Sequence, residues 1–269
     1  MCVKENTMKY GFIGCGNMGG AIAKALRRQT ADIMIADPAP SAKEFAESLG
    51  ATYTDNETLV SSCDRVFLAV KPHLMKGMLA PLQTILAEKK PLLITMAAGL
   101  EVAQIRTFAG CDLPIIRIMP NTPVSLGKGM IQYCRNDLVS DDVLADWLND
   151  MQYCGRLDAL EERLIDAASA LSGSGPAYMY MFIEALADGA VACGIPRAKA
   201  YEYAAMTMAG AAEMVLTSGQ HPGALKDAVC SPGGSTIAGV RALEQNGFRG
   251  AAMDCVMAGF LKNKELGKQ

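Results

Sequence analysis

A short polar segment near the C-terminus has the residue types to hold a small anion. Residues 231–236 read Ser-Pro-Gly-Gly-Ser-Thr. Gly233 and Gly234 let the backbone approach a ligand closely or adopt a positive φ, and the hydroxyls and nearby N–H groups can surround an anion. Because the segment contains no carboxylate, histidine or lysine, it predicts binding and orientation rather than proton abstraction. Taken alone, a glycine-rich turn between helices explains it equally well.

A second glycine segment lies near the N-terminus, in a different context. An apolar run at residues 9–13 is followed by Gly14-Cys15-Gly16-Asn17-Met18-Gly19 and then by a small-residue apolar run at 20–26. Strand, glycine turn and helix in this order form the context that a dinucleotide-binding fingerprint requires. Gly14 allows the tight turn, Gly16 leaves room for a pyrophosphate, and Gly19 lets the helix approach the strand.

The residue at the end of the second predicted strand, residues 32–37, supports that interpretation. Asp37 stands about 20 residues beyond the glycines, where a carboxylate that binds the ribose diol of NADH is expected. Pro38 follows it directly, and Ser41 and Lys43 are near enough in sequence to contact a 2′-phosphate. Asp37 therefore favours NADH, whereas Ser41 and Lys43 are compatible with NADPH, so the residues alone leave both cofactors open.

The elements that position these residues alternate between strand and helix patterns. Strands are predicted at 9–13, 32–37, 65–70, 91–95 and 115–119, and helices at 41–49, 74–87 and 102–108. Such alternation indicates an α/β fold with a doubly wound, mostly parallel sheet of Rossmann type. Ligands of such sheets lie beyond the carboxyl ends of the strands. The segments there are Lys71-Pro72-His73, Ala97-Ala98-Gly99 and Pro120-Asn121-Thr122-Pro123.

The second part of the chain has a different pattern. Residues 127–133 are interpreted as edge strands, and Ser140 as the N-cap of a helix that ends near Met151. Strand signals stop at about Glu161, so we expect a nucleotide-binding domain over residues 1–158 and an all-helical domain over 159–269. The helical part is rich in alanine and glycine, which suggests a packing partner in another subunit. Its methionines are expected to fill the core: Met179, Met181, Met206, Met208 and Met214.

Composition limits the classes of function. The chain has 269 residues, 51% hydrophobic residues and a net charge of −3, which gives no basic surface for nucleic acid or membrane. Nine scattered cysteines and only two histidines argue against a zinc site. Scattered cysteines are typical of free thiols in a reducing compartment. Residues 1–8 lack the apolar segment of a signal sequence, and the charge-free run at 167–183 is interrupted by glycines and a proline. We expect a soluble cytoplasmic protein.

The two glycine segments together resemble those of the pyrroline-5-carboxylate reductase family. The more specific pair is Leu171-Ser172-Gly173-Ser174-Gly175-Pro176-Ala177-Tyr178 and Ser231-Pro232-Gly233-Gly234-Ser235-Thr236. The glycine turn at 11–19 is shared with many dehydrogenases. Further matching segments are Ala69-Val70-Lys71-Pro72, Ala97-Ala98-Gly99, Met119-Pro120-Asn121-Thr122-Pro123, His221-Pro222-Gly223 and Leu225-Lys226-Asp227.

The resemblance implies a reaction and a set of site residues. Hydride would pass from NADPH or NADH to the ring carbon of a cyclic imine that bears a carboxylate, giving L-proline. The resemblance also implies a homodimer through the helical domains, with residues 231–236 of one chain facing the nucleotide domain of the other, and it allows such dimers to assemble into a higher oligomer. The implied substrate-binding residues are Ser231, Gly233, Gly234, Ser235 and Thr236, with Thr236 as the catalytic candidate. The implied cofactor-binding residues are Ile13, Gly14, Cys15, Gly16, Asn17, Met18, Gly19, Asp37, Asn56, Ala69, Val70, Lys71, Pro72, Ala97, Ala98, Gly99 and Asn121.

Several alternatives stay open at the level of sequence. The Thr236 hydroxyl is a candidate to bond the ring nitrogen or to cap a helix that starts near Ile237. Lys71 suits either a pyrophosphate contact or a surface position, and Ser172 is interpreted as part of a structural loop. A 3-hydroxyacid dehydrogenase of the 6-phosphogluconate type is the nearest rival, but such enzymes use a helix lysine and residues 164–196 contain neither Lys nor Arg. A nucleotide-binding sensor without catalytic activity is the rival from another class.

Overall fold

A computed structural model describes residues 8–28 and 32–266 of the chain. The fold divides into two compact units. The first comprises Met1–Ser174 together with Gly259–Gln269, and the second comprises Gly175–Ala258.

The first unit is built on one eight-stranded sheet with the order β3-β2-β1-β4-β5-β6-β7-β8. β1 to β6 are parallel to one another, β7 is antiparallel to β6, and β8 is parallel to β7. The predicted α/β fold with a Rossmann-type, mostly parallel sheet is therefore confirmed. The strands are β1 (Tyr10–Ile13), β2 (Ile33–Ala36), β3 (Thr52–Tyr53), β4 (Arg65–Leu68), β5 (Leu92–Thr95), β6 (Ile115–Met119), β7 (Gly129–Arg135) and β8 (Gly155–Ala159).

Helices cover both faces of this sheet, because each central strand is buried along its whole length and needs apolar cover on both sides. One buried cluster includes Phe12, Ile35 and Trp147, and the other includes Leu68, Ile105 and Ile115. The helices of this unit are α1 (Asn17–Leu26), α2 (Ser41–Leu49), α3 (Asn56–Ser62), α4 (Met75–Leu79), α5 (Gln83–Lys89), α6 (Val102–Ala109), α7 (Asp141–Met151) and α8 (Glu162–Ala168).

Some elements differ from the expectations. β3 and α3 were not predicted, since β3 is only two residues long and has no alternating pattern to reveal it. The helix expected over 74–87 is divided into α4 and α5 by the 3-10 turn Ala80–Leu82, in which Pro81 lacks the N–H that a continuous α-helix would use. Asp158, the predicted last residue of the nucleotide-binding domain, lies inside β8, and α8 belongs to the sheet unit.

The second unit consists of helices, as predicted for the C-terminal part. They are α9 (Gly175–Ala192), α10 (Arg197–Ser218), α11 (Pro222–Val229), α12 (Ser235–Gln245) and α13 (Phe248–Leu266), whose last residues belong to the first unit. The prediction that its methionines fill the core is wrong for the single chain. Met181 and Met206 are 69% and 68% exposed, and Met179 and Met214 are also exposed. Met208 is half-buried. The helices of this unit carry apolar residues that its own fold leaves uncovered.

Candidate functional site

The turn between β1 and α1 has the geometry that a dinucleotide requires. Gly14 has φ +94°, and a Cβ there would lie 2.7 Å from the carbonyl oxygen of Ala69. A Cβ on Gly19 would lie 2.5 Å from the carbonyl oxygen of Gly14, so only glycine allows α1 to approach the strand this closely. A Cβ on Gly16 would meet nothing within 4 Å. The fold therefore requires glycine at positions 14 and 19, whereas Gly16 faces open space.

The start of α1 presents backbone N–H groups that have no acceptor within the helix. Gly16 is its N-cap and makes no side-chain cap bond, and the first turn contains no acidic residue. The first N–H groups of a helix have no partner within it, and the helix dipole adds partial positive charge there. Gly16 and Asn17 are exposed, and Cys15 and Met18 are half-buried. This end of the helix can receive an anionic group such as a pyrophosphate.

Asp37 follows β2 and is fixed by backbone groups on both carboxylate oxygens. Cys15 N–H donates to Oδ2 and Ala39 N–H donates to Oδ1, each at an N···O distance of 2.7 Å. Tyr53, which the sequence did not single out, donates its hydroxyl to the Asp37 carbonyl oxygen at 2.9 Å. The Pro38 that follows does not turn the carboxylate away from the glycine turn. Burial, followed by the charge and hydrogen bond of Asp37, raises the pKa of the Cys15 thiol to about 11.

The carboxyl ends of β4 and β5 bring two of the predicted segments to the same rim as the glycine turn. Ala69 N–H donates to the Ile13 carbonyl oxygen at 2.8 Å, which joins the end of β4 to the end of β1. Lys71 is exposed and precedes a 3-10 turn at Pro72–Leu74. After β5, Ala97 is buried and Gly99 has φ +75°. The structure therefore places residues 69–72 and 97–99 at the edge where doubly wound sheets bind ligands.

Two predicted asparagines lie at this rim in different settings. Asn56 is the half-buried first residue of α3, next to the N-cap Asp55, whose carboxylate accepts from Thr58 N–H. Asn121 follows β6 and is buried, and its amide is engaged on both sides. Its Oδ1 accepts from Met130 N–H and its Nδ2 donates to the Ser172 carbonyl oxygen, both at 3.0 Å. The Asn121 side chain therefore supports two other segments of the first unit.

Ser172 lies in the π-helical turn Ser169–Gly173. Its Oγ is 3.0 Å from the Ala168 carbonyl oxygen and 3.0 Å from Oε1 of Gln132, a buried residue of β7. No residue near it in this network is a base, which agrees with the predicted structural loop. Gln132 was missed by sequence reasoning because a single glutamine within an apolar strand gives no pattern.

The Ser231–Thr236 segment, in the second unit, is a tight turn that leads into α12. Gly234 N–H donates to the Ser231 carbonyl oxygen at 3.1 Å, and Gly233 has φ +68°. Proline at the second position and a positive-φ glycine at the third are typical of a type II turn. Gly234 is the N-cap and α12 begins at Ser235. The alternative that Thr236 caps the helix is therefore wrong, because Thr236 is already its second residue.

The described part of the chain contains no cluster of three His, Cys, Asp or Glu side chains that could hold a metal ion. Eight cysteines of the described residues are free thiols, in agreement with the sequence interpretation. Within residues 8–28 and 32–266, none of the helices is long and apolar enough to cross a membrane.

Comparison with known proteins identifies the family. A family model described as pyrroline-5-carboxylate reductase dimerisation matches residues 162–266, and one described as NADP oxidoreductase, coenzyme F420-dependent, matches residues 9–99. The pyrroline-5-carboxylate reductase of Escherichia coli K12 is 41% identical over 266 residues, which cover 97% of this chain and 98% of that protein. The chain belongs to the pyrroline-5-carboxylate reductase family.

Solved structures of the pyrroline-5-carboxylate reductase family have the same fold. The enzyme from Streptococcus pyogenes is 38% identical with a TM-score of 0.89, over 97% of this chain and 100% of that one. The Plasmodium falciparum enzyme, with NADP bound, is 34% identical with a TM-score of 0.88, over 98% and 99% of the two chains. The predicted family and its NAD(P)H-dependent reductase class are confirmed, and the 6-phosphogluconate-type alternative is not supported.

Proposed function

We propose that this chain reduces 1-pyrroline-5-carboxylate to L-proline with NADH or NADPH, holding the cofactor at the glycine turn and the substrate at the Ser231–Thr236 turn. Membership of the pyrroline-5-carboxylate reductase family supports the reaction. The observation that carries the site assignment is the pair of glycine turns, each opening onto a helix N-terminus without a side-chain cap. One turn suits a pyrophosphate and the other suits a carboxylate.

The first turn would bind the dinucleotide. Open space above Gly16 and the free N–H groups of α1 fit a pyrophosphate, and Asp37 stands at the end of β2 for the adenine-side ribose. When bound, the reduced nicotinamide supplies a hydride to the substrate. The residues proposed to line the cofactor are Ile13, Gly14, Cys15, Gly16, Asn17, Met18, Gly19, Asp37, Asn56, Ala69, Val70, Lys71, Pro72, Ala97, Ala98, Gly99 and Asn121.

The second turn would bind the substrate carboxylate. The Gly234 N–H is used within the turn and the Ala238 N–H bonds back to the Gly234 carbonyl oxygen, so the N–H groups between them have no helical acceptor. Ser235 and Thr236 lie at this helix start and are exposed in the single chain. Together with the Ser231 hydroxyl and the two glycines, they form a small anion site of the kind that the carboxylate needs.

The reaction requires few side chains. A hydride from the bound cofactor would add to the carbon of the protonated imine, and the π electrons of the C=N bond would become the lone pair of the ring nitrogen. The resulting neutral amine would then take up one proton from water. Because the protonated imine is already electrophilic, orientation and electrostatics can supply most of the rate. We assign Thr236 Oγ as the acceptor of the imine N–H. Thr236 is exposed and, within the described residues, its hydroxyl makes no hydrogen bond.

The decisive experiment measures oxidation of NADH and of NADPH by nicotinamide absorbance, with and without pyrroline-5-carboxylate. We expect oxidation only when the imine is present. A nucleotide-binding sensor would bind the reduced cofactor, as seen by fluorescence titration, without oxidising it. Binding without oxidation would reject the proposed activity and leave that alternative.

We further propose that the chain works as a homodimer through its helical unit, and that dimers can assemble further. α9 and α10 leave large apolar residues exposed, including Tyr180, Met181, Met206 and Leu216. Exposed apolar patches mark interaction surfaces. The match to a family model for dimerisation over residues 162–266 supports a second copy of this chain as the partner.

Matched substitutions test the dimer. Leu216 in α10 is 68% exposed, and Leu126, in a 3-10 turn of the first unit, is 75% exposed. We expect Leu216→Glu to produce monomers in light scattering, since it would bury a charge in the interface, and Leu126→Glu to leave the dimer intact. A wild-type protein that is monomeric and fully active would contradict the proposal. We also propose a cytoplasmic location, which the free cysteines support.

A further inference from the structure

The buried amide of Asn121 joins three segments that are distant in sequence. It follows the carboxyl end of β6, accepts from Met130 N–H in β7 and donates to the Ser172 carbonyl oxygen in the π-helical turn. Asn121 is only 8% exposed, and both of its bonds are partly buried. Gln132, which pairs with Met119 at the end of β6, reaches the Ser172 hydroxyl. Ser172 is therefore held at its carbonyl and at its hydroxyl.

The location of this network indicates a purpose beyond packing. The carboxyl ends of β4, β5 and β6 form the half of a doubly wound sheet that receives the second nucleotide of a dinucleotide. A π-helical turn is less stable than an α-helix and is frequent at functional sites. Here the turn Ser169–Gly173 closes with Ser174 N–H donating to the Ser169 carbonyl oxygen at 3.0 Å. Its shape depends on partners outside the turn, and Asn121 and Gln132 supply them.

We infer that Asn121 and Gln132 are positioning residues that fix the Ser172 turn at the nicotinamide end of the cofactor site. The inference rests on the proposed function and adds a role to it. Besides lining the cofactor site, Asn121 acts on the nicotinamide through Ser172. A turn that is free to move would leave the cofactor bound by its pyrophosphate but hold the nicotinamide in the wrong orientation for hydride transfer.

The same chain provides a matched control at the other end of β6. Asn136, just after β7, also joins a backbone donor to a backbone acceptor. Its Oδ1 accepts from Ile115 N–H at 3.0 Å and its Nδ2 donates to the Leu113 carbonyl oxygen at 2.8 Å. Ile115 is the first residue of β6, so the Asn136 amide supports the amino end of the same strand, opposite the carboxyl end that Asn121 follows. Replacing either asparagine by aspartate keeps the acceptor oxygen and removes the donor.

The test compares Asn121→Asp with Asn136→Asp. We expect the melting temperatures of both variants to fall by similar amounts. We expect kcat to fall about tenfold or more only in Asn121→Asp, because loss of the bond to Ser172 misplaces the reacting atoms. The dissociation constant of NADH should change by less than about threefold, since the pyrophosphate and ribose contacts remain. The fluorescence of bound NADH should change in Asn121→Asp alone. Equal kcat losses in the two variants, or a kcat unaffected by Asn121→Asp, would overturn the inference.

A pH profile provides a readout that a purely structural role would not move. The introduced carboxyl can donate to the Ser172 carbonyl oxygen only when it is protonated. Burial and the adjacent carbonyl oxygen should raise its pKa above the usual range for aspartate. We therefore expect kcat of Asn121→Asp, relative to wild type, to rise as the pH falls, and the ratio for Asn136→Asp to stay flat. A flat ratio for both variants would overturn the inference.

The fluorescence readout separates the inference from the proposed function. If wild type binds NADH but does not reduce the imine, the proposed function fails, and the fluorescence of NADH bound to the two variants still decides the role of Asn121. Unchanged fluorescence in Asn121→Asp would then reject that role. Gln132→Leu is a second variant for the same measurement, because it removes one of the two acceptors of the Ser172 hydroxyl, keeps the Ala168 carbonyl oxygen as the other, and leaves the Asn121 bonds intact. We expect the same direction of change with a smaller size.

Discussion

Asp37 should affect the protein in two ways that can be measured separately. Its charge should set the preference between NADH and NADPH, and its hydrogen bonds should support the glycine turn. The carboxylate is fixed by the backbone N–H groups of Cys15 and Ala39, so it cannot rotate away from an incoming 2′-phosphate without losing both bonds. Two unit charges about 4 Å apart interact by about 1 kcal/mol in water and by about 4 kcal/mol near a protein surface. The lower value alone corresponds to roughly a fivefold change in an equilibrium constant.

Two substitutions separate the charge from the hydrogen bonds. Asp37→Asn removes the charge and keeps one acceptor oxygen, whereas Asp37→Ser removes the charge and both bonds. We expect both to raise the NADPH to NADH ratio of kcat/KM by at least about fivefold. Asp37→Ser should also weaken both cofactors together, because each lost bond to a charged group is worth about 1.5–3 kcal/mol and the glycine turn loses its support.

The assay is steady-state oxidation of each cofactor with pyrroline-5-carboxylate, alongside melting temperatures. Asp112→Asn is a suitable control, because Asp112 follows α6, is 65% exposed and pairs with Arg106 of that helix. It should change neither the ratio nor the affinities. An unaltered NADPH to NADH ratio in both Asp37 variants would refute the role of the charge, and unaltered affinities in Asp37→Ser would refute the role of the bonds.

Three further predictions follow from the geometry. Gly16→Ala should fold with nearly normal stability but bind cofactor poorly, because its Cβ meets only the space proposed for the pyrophosphate, whereas Gly19→Ala should lose about 1–3 kcal/mol of stability through backbone overlap; denaturant unfolding and cofactor titration distinguish the two. Thr236→Ala should lower kcat/KM for the imine by roughly 10- to 150-fold with an almost unchanged melting temperature, since Gly234 is the cap. Asp166→Ala should cost about 3 kcal/mol in denaturant unfolding, because it leaves the guanidinium of Arg117, which is 1% exposed, with Glu162 as its remaining ion pair at 3.4 Å.

The glycine turn and the parallel strands could be predicted because their signals are local. Gly14, Gly16 and Gly19 have fixed spacing between an apolar strand and a small-residue helix, and each proves to occupy the setting that its type requires. The strands β1, β4, β5 and β6 are short apolar runs, typical of a sheet covered on both faces.

The features that could not be predicted depend on contacts between distant residues. The bond from Cys15 N–H to Asp37 and the bond from Asn121 to Ser172 join residues 22 and 51 positions apart. The alternative in which Thr236 caps the helix fails by two residues, because Gly234 serves as the N-cap. The prediction that the methionines of the helical unit fill a core fails, because composition alone does not distinguish a buried core from a surface that binds a second subunit.

The most direct test of the central claim is the amount of L-proline formed per NADH or NADPH oxidised when pyrroline-5-carboxylate is the only substrate supplied. The account predicts one proline per cofactor in wild type, and the same stoichiometry at a lower rate in Thr236→Ala. Oxidation of the cofactor without proline, or no oxidation by a folded protein that binds NADH, would contradict the account.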